Sequence, residues 1–255
     1  TAAFFGILLS TCCHGILAIA IELYKKGASI PAIIVLLTAS PWANLPMTIL
    51  LCTFFGLKGF LIIGLAVIIA LITGLIFQFI HHQQWLDAKE SENLKLDLTE
   101  FSILSDIAHR FRHFKYTKTN LAKTGQSILK GSINNANSVL WWFAIAWAMA
   151  SFIGFYIPKS IFTTYLSSST TGLFNTLGMA SIIEVCSEGS SILALELYKH
   201  TQSIGNVFVF LLAGVATDYT EIGLLWTTIG KRTAILLPII SVPLIIITGF
   251  LLNQL

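Results

Sequence analysis

The sequence predicts an all-α, polytopic membrane protein, and three observations predict it: the chain is very apolar, its apolar residues form runs of bilayer length, and one half of it matches the other. Of 255 residues, 55% are hydrophobic and 11% charged, and the mean hydropathy is +0.81. A soluble domain carries about a quarter charged residues to face water. Seven apolar runs, at 1–23, 30–55, 60–79, 139–157, 173–198, 204–229 and 233–252, come near the ~20 residues that cross ~30 Å of hydrocarbon. No soluble core of this size could cover them all. In lipid the backbone must pair its own polar groups, and the alternating ~10-residue segments of a membrane β-barrel are absent, so the runs read as helices.

Three parts follow in order: a first transmembrane repeat at 1–80, a polar loop at 81–136 and a second transmembrane repeat at 137–255. The chain opens on Thr1 inside an apolar run, which reads as a form lacking its true beginning, with the upstream spans of the first repeat missing; a signal peptide fits that run less well because of His14 and Glu22. Shifted by 174 residues, Cys12 to Gly56 aligns with Cys186 to Gly230 without a gap, and 16 of the 45 positions are identical. Shared composition gives far fewer. Polar positions survive in the match, among them Glu22-Leu23-Tyr24-Lys25 against Glu196-Leu197-Tyr198-Lys199, so we read an internal duplication. Duplicated membrane halves are the usual architecture of secondary transporters, with a solute site at the repeat interface near mid-bilayer.

The loop holds eight of the 15 Lys and Arg and six of the 12 Asp and Glu, and the positive-inside tendency puts it in the cytoplasm. Within it, Asp97-Leu98-Thr99-Glu100 reads as a capping box leading into an amphipathic helix, either lying on the inner membrane face or solvated as a connector. Outside the loop, charge counting leaves parallel and inverted repeats both open. A net charge of +3 with no basic face makes nucleic acid an unsuitable partner, and four cysteines in this spacing make no disulfide framework.

Ionisable residues inside the bilayer cost ~2.5–3.5 kcal/mol on insertion scales and therefore face a partner or a cavity. Cys12-Cys13-His14-Gly15 falls midway along the first run and Cys186-Ser187-Glu188-Gly189 midway along its counterpart. In each, a glycine follows polar or soft side chains, as expected of an interrupted helix whose freed backbone lines a site. Glu184 and Glu188 stand one turn apart, where two desolvated carboxylates cannot easily both ionise; they are a candidate proton relay, unless Glu184 pairs with a base or sits nearer the interface. A second pair of breaks is expected at Ala39-Ser40-Pro41-Trp42-Ala43-Asn44-Leu45-Pro46 and, across the offset, at 213–221, where Asn44 aligns with Asp218 and Glu221 follows. Plain proline kinks are the alternative reading. Cys12, Cys13, His14 and Cys186 are soft or borderline ligands suited to Cu(I), Zn or a trivalent metalloid, whereas Cys52 reads as packing. The expected solute-binding set is Cys12, Cys13, His14, Asn44, Cys186, Glu188, Asp218 and Glu221, with Glu184 or Glu188 carrying the proton.

No Walker phosphate loop and no His-Glu-x-x-His zinc signature occur. The expectation is a permease with no catalytic residue, no resident metal and no cofactor. A passive channel or assembly subunit, or an intramembrane metal-dependent enzyme, are the alternatives. A cysteine-bearing break closed by Gly15, then Lys25-Lys26-Gly27-Ala28-Ser29, then Ala39-Ser40-Pro41 with Asn44, resembles the predicted-permease family that includes the organoarsenical efflux permeases. Val185-Cys186-Ser187-Glu188-Gly189 and 211–221 are similar to that family's second half. The resemblance implies a multi-pass permease of the bacterial inner membrane that exports a small solute, with a homo-oligomer possible. Arsenical exporters of the family look like Cys-x-Cys-Gly at the first break; here His14 replaces the second cysteine, which suits a borderline metal ion better.

Overall fold

In the computed structural model of the chain, the described residues are 13–25, 27–42, 44–83, 144, 148, 151–152, 165–183 and 187–254. Among them every regular element is helical, as lipid requires of a backbone that must pair with itself. They are α1 (Cys13–Lys25), α2 (Ile30–Ala39), a 3-10 turn (Ser40–Trp42), α3 (Leu45–Phe55), α4 (Leu57–His82), α5 (Thr170–Ile182), α6 (Ser187–Thr201), α7 (Ile204–Ala216), α8 (Tyr219–Thr228) and α9 (Lys231–Leu252). Three stretches are long and apolar enough to cross a membrane: Leu57–His82, Ile204–Thr228 and Lys231–Leu252. A fourth, Ile30–Trp42 with Leu45–Phe55, qualifies as one span bent by 47°. The outer faces of α4 and α9 expose Phe60, Ile68, Leu75, Phe79, Ile239 and Ile247, a surface that suits acyl chains and not water. The chain is a multi-pass membrane protein.

Chain direction follows from who packs with whom. One apolar cluster joins Phe55 and Ile62, where α3 gives way to α4, with Ile245 and Leu252 in the last half of α9. The other joins Phe77, late in α4, with Ala234 and Leu237, early in α9. Since α4 and α9 also pack on each other, they run antiparallel. The bundle therefore has a Lys58 end, where α4 starts and α9 stops, and a His82 end, where the reverse holds.

The shorter helices are placed by close contacts. α2 starts at the His82 end, because Gly74 lies against Val35 and faces the carbonyl of Pro31. α7 starts at the opposite, Lys58 end, because Gly205 lies against the backbone of Gly249 and the side chain of Asn253. A single residue links α3 to α4: Gly56, at φ +60° and ψ −133°, a conformation that only glycine adopts without strain. Gly59 then lets α4 turn back against the Leu51 carbonyl.

The run at 173–198 does not form one span. Leu173 sits against Gly249 and Asn206 donates to the carbonyl of Leu166, so α5 starts at the Lys58 end. The ring of Tyr198 meets Phe55 at 5.5 Å and Lys58 at 5.6 Å, so α6 finishes at that same end. α5 and α6 therefore run in opposite directions. As one helix this run would be ~39 Å long at ~1.5 Å per residue, more than enough to cross. The glutamates, cysteine and serine at its centre make a lipid crossing costly.

Helix starts at 30, 45 and 57 are matched by starts at 204, 219 and 231, all at the offset of 174 that aligns the sequence with itself. Packing follows the same correspondence: α1 on α2 and α6 on α7, α2 on α4 and α7 on α9, α3 on α4 and α8 on α9. Across the halves, α3 meets α6 while α8 meets α1.

Candidate functional site

The two expected breaks in the second members of each half lie at the same register. Asn44 is the N-cap of α3, 1% exposed, and its Oδ1 accepts from the Met47 N–H at 2.7 Å. Pro46 follows inside the first turn, where its missing N–H costs nothing. Before the break, the 3-10 turn buries Ser40, Pro41 and Trp42, and the Ser40 hydroxyl has no partner among the described residues. Asp218, the aligned residue, caps α8: its Oδ1 accepts from Thr220 N at 2.7 Å and Glu221 N at 3.1 Å. A carboxylate here complements the positive end of α8 as well as filling the cap.

Glu221 sits in the first turn of α8 and is 5% exposed, an acidic side chain buried in a stretch that crosses the membrane. Its counterpart across the offset is Met47, equally buried. Two hydroxyls join the α5–α6 hairpin to this break: Thr217 Oγ1 lies 3.0 Å from Ser181 Oγ in the last turn of α5. The finish of α5 therefore lies at the depth of the Thr217–Asp218 break. Ser187, Ser190 and Ser191 in α6 are buried.

Of the expected site residues, Asn44, Asp218 and Glu221 have described side chains, at the two breaks. Cys13 and His14 open α1, and Glu188 stands in the first turn of α6; their side chains lie outside the described residues, as do Cys12, Glu184 and Cys186 altogether. Ile183 and Ser187 bracket that last pair. Cys52, set aside as packing, is a half-buried thiol on α3. Among the described residues, no three His, Cys, Asp or Glu side chains gather in a way that would hold a metal ion.

Sequence reasoning passed over a cavity of about 20 Å³ between α2, α4, α7 and α9, lined among others by Thr38, Trp42, Ala70, Thr73, Leu212 and Ser241. That is room for a water molecule or two. Thr38 aligns with Leu212 and Trp42 with Ala216 across the offset, so the two halves contribute corresponding positions to it. No run of polar residues marks it in the sequence; it is assembled from single residues on four helices.

No curated protein and no solved structure matches the chain. The ArsP_1 family model, described as "Predicted permease", matches residues 1–254, and the chain thus belongs to this predicted-permease family.

Proposed function

We propose that this membrane transporter is a secondary-type efflux permease, carrying a metal ion, a metalloid or a small organic solute outward by alternating access between two duplicated halves of opposite orientation. One observation carries the reading: corresponding helices start at the same offset, yet α4 and α9 run antiparallel. An inverted pair of this kind can exchange an inward-open for an outward-open shape when the halves trade conformations. Further support comes from the breaks, where Asn44 and Asp218 cap helices inside the bundle instead of at the membrane surface.

The same geometry orders the charges that sequence counting left unsorted. The His82 end holds the finish of α1 at Lys25 and the start of α9 at Lys231 and Arg232, and the basic loop follows from it; the opposite end holds Lys58 and Lys199. By the positive-inside tendency the His82 end is cytoplasmic. In this reading Cys12, Cys13, His14, Asn44, Cys186, Glu188, Asp218 and Glu221 line the path, and Glu184 or Glu188 carries the proton that drives export.

Cells expressing the protein are first grown across a panel of metals and arsenicals, and flux of the solute that discriminates is then followed in vesicles with and without a proton gradient. Glu188→Gln and Asp218→Asn are expected to abolish flux while membrane insertion stays normal. Undiminished flux in both variants would remove the site, and flux indifferent to the gradient would turn the permease into a channel.

A further inference from the structure

Four hydroxyls within the spans and hairpin of this bundle close onto their own backbone one turn back. Thr38 donates to the Ile34 carbonyl at 2.8 Å, Thr176 to Gly172 at 2.8 Å, Ser241 to Leu237 at 2.6 Å and Thr248 to Leu244 at 2.8 Å. Thr73 does not. Its side chain is 0% exposed, and Oγ1 has no partner among the described residues. A buried hydroxyl left unpaired is unfavourable, yet the local remedy used four times elsewhere, the carbonyl of Ile69 one turn back, goes unused here. Thr73 lines the cavity between α2, α4, α7 and α9.

The cavity's position is equally telling. Ala66, Ile69, Ala70 and Thr73 lie at the middle of α4, and Ser241 and Ile245 near the middle of α9, so it sits at the midplane of the two antiparallel spans. α4 presents small residues there, Ala66 and Ala70, one turn apart, which leaves the space that larger side chains would fill. The lining carries no Asp, Glu, Lys, Arg, His or Cys. An ion at this depth would lose its hydration with nothing to replace it, and a metal would find no ligand set.

We propose that this cavity is the contracted form of a mid-membrane solute site, and that it takes a small uncharged, mostly apolar organic solute, hydrogen-bonded to the Thr73 hydroxyl beside the Trp42 indole. The proposal rests on the permease reading and narrows its solute class. At about 20 Å³ the site must widen to admit such a molecule, and the α4–α9 contact between halves is where it widens. Thr73 then donates to, or accepts from, the solute instead of its own helix. Ser241 and Thr38 keep their hydroxyl protons on the backbone and serve as walls that can accept.

Accessibility in vesicles holding the full chain tests this without knowing the solute. Thr73→Cys and, as a lipid-facing control on the same helix, Ile68→Cys are reacted with neutral N-ethylmaleimide and with a quaternary-ammonium methanethiosulfonate, and label at each position is read by peptide mass spectrometry. Because the widened site admits water along with solute, so that a thiolate can form there during the transport cycle, while position 68 faces lipid throughout, Cys at 73 is expected to react with the neutral reagent about tenfold faster than Cys at 68. The cationic reagent is expected to show no such preference. Equal rates at the two positions with the neutral reagent overturn the site, and equal labelling of position 73 by both reagents overturns the uncharged solute class. Flux measured alongside separates the two readings: a transporting protein with a silent position 73 keeps the permease and loses this site. Should Thr73→Cys fail to fold, Thr73→Val decides. It should melt at or above the wild-type temperature, because a spare hydroxyl is removed, and a clear drop would give that hydroxyl a structural role and end the proposal.

Discussion

The two halves share a backbone plan and differ in how it is held. At the Lys58 end, α7 and α9 are clasped: Asn253 Oδ1 accepts from Ser203 Oγ at 2.6 Å and from Gly205 N at 2.8 Å, while its amide donates to Asn206 at 3.0 Å and to the Ser168 carbonyl at 3.2 Å. The corresponding pair, α2 and α4, has Ser29, Pro31, Ala32 and Phe79 at those positions, with Phe79 turned outward, 68% exposed. The breaks differ in the same sense. In the second half a two-residue interruption at Thr217–Asp218 leaves Ile204–Thr228 counting as one span, whereas the first half bends by 47° through a proline-bearing 3-10 turn. One half is pinned and has an acidic break at Asp218; the other is bent and has a neutral break at Asn44. Such a division suits a rocking mechanism, because a helix pair that lacks this clasp changes shape more cheaply than one whose helices share a buried network.

The largest expected effect breaks the clasp at its closest approach. A Cβ at Gly205 would run into the backbone carbonyl of Gly249, which cannot swing aside as a side chain can. Gly205→Val should therefore cost about 3 kcal/mol or more, read as loss of the monodisperse peak in detergent. Pro31→Val, its partner across the offset, should leave that peak in place. If the two behave alike, the halves are not held differently.

Asn253→Leu comes next. It removes the acceptor of the Ser203 hydroxyl proton and the Gly205 amide and the donor to Asn206 Oδ1, for about 2–3 kcal/mol and a lower melting temperature. Phe79→Leu, at the matching position facing lipid, should change the melting temperature little. Equal drops in the two variants would show that the clasp contributes no more than ordinary helix packing.

Capping is a smaller term, and here the halves should match. Asn44→Ala and Asp218→Ala should each cost about 1 kcal/mol, visible as faster amide exchange at Met47 in one case and at Thr220 and Glu221 in the other. Asn44→Asp and Asp218→Asn keep a capping side chain, so exchange should stay slow. That last pair also sharpens the flux test, since Asp218→Asn removes a charge and leaves the helix start intact.

How far the sequence revealed these features depended on how locally each is encoded. Helical spans follow from run length and hydropathy alone, and the offset of 174 marked the helix starts because aligned residues carry the same start signals, Ser29 with Ser203 and Asn44 with Asp218. The breaks were legible for the same reason: Pro41, Pro46 and the polar caps sit within a few residues of where the helix yields. The hairpin at 173–198 was not, because a 26-residue apolar run with a polar centre satisfies the length rule for one crossing, and only contacts to Gly249 and Lys58 show both its ends on one side. The antiparallel run of α4 and α9 was also hidden, since Lys25, Lys58, Lys199 and Lys231 sort into two ends only when the packing is known. Thr73 could not be singled out from sequence at all. Whether a helical threonine closes on its own backbone or faces a cavity is decided by neighbours on three other helices.

The smallest expected effect concerns Ser40, and its sign matters more than its size. The hydroxyl is buried with no partner among the described residues, in the 3-10 turn that gives the first half its bend; Gly214 stands at the matching place in the second. Deleting an unpaired buried hydroxyl without leaving a partner stranded should raise stability by up to about 1 kcal/mol, so Ser40→Ala should melt no lower than wild type. A stabilised variant that transports more slowly would mean that Ser40 finds its partner only after the bent half has moved, which ties the proline break to the conformational cycle. A destabilised variant would mean the hydroxyl is already paired in the ground state, and the contrast between a loosely held first half and a pinned second half would lose its sharpest support.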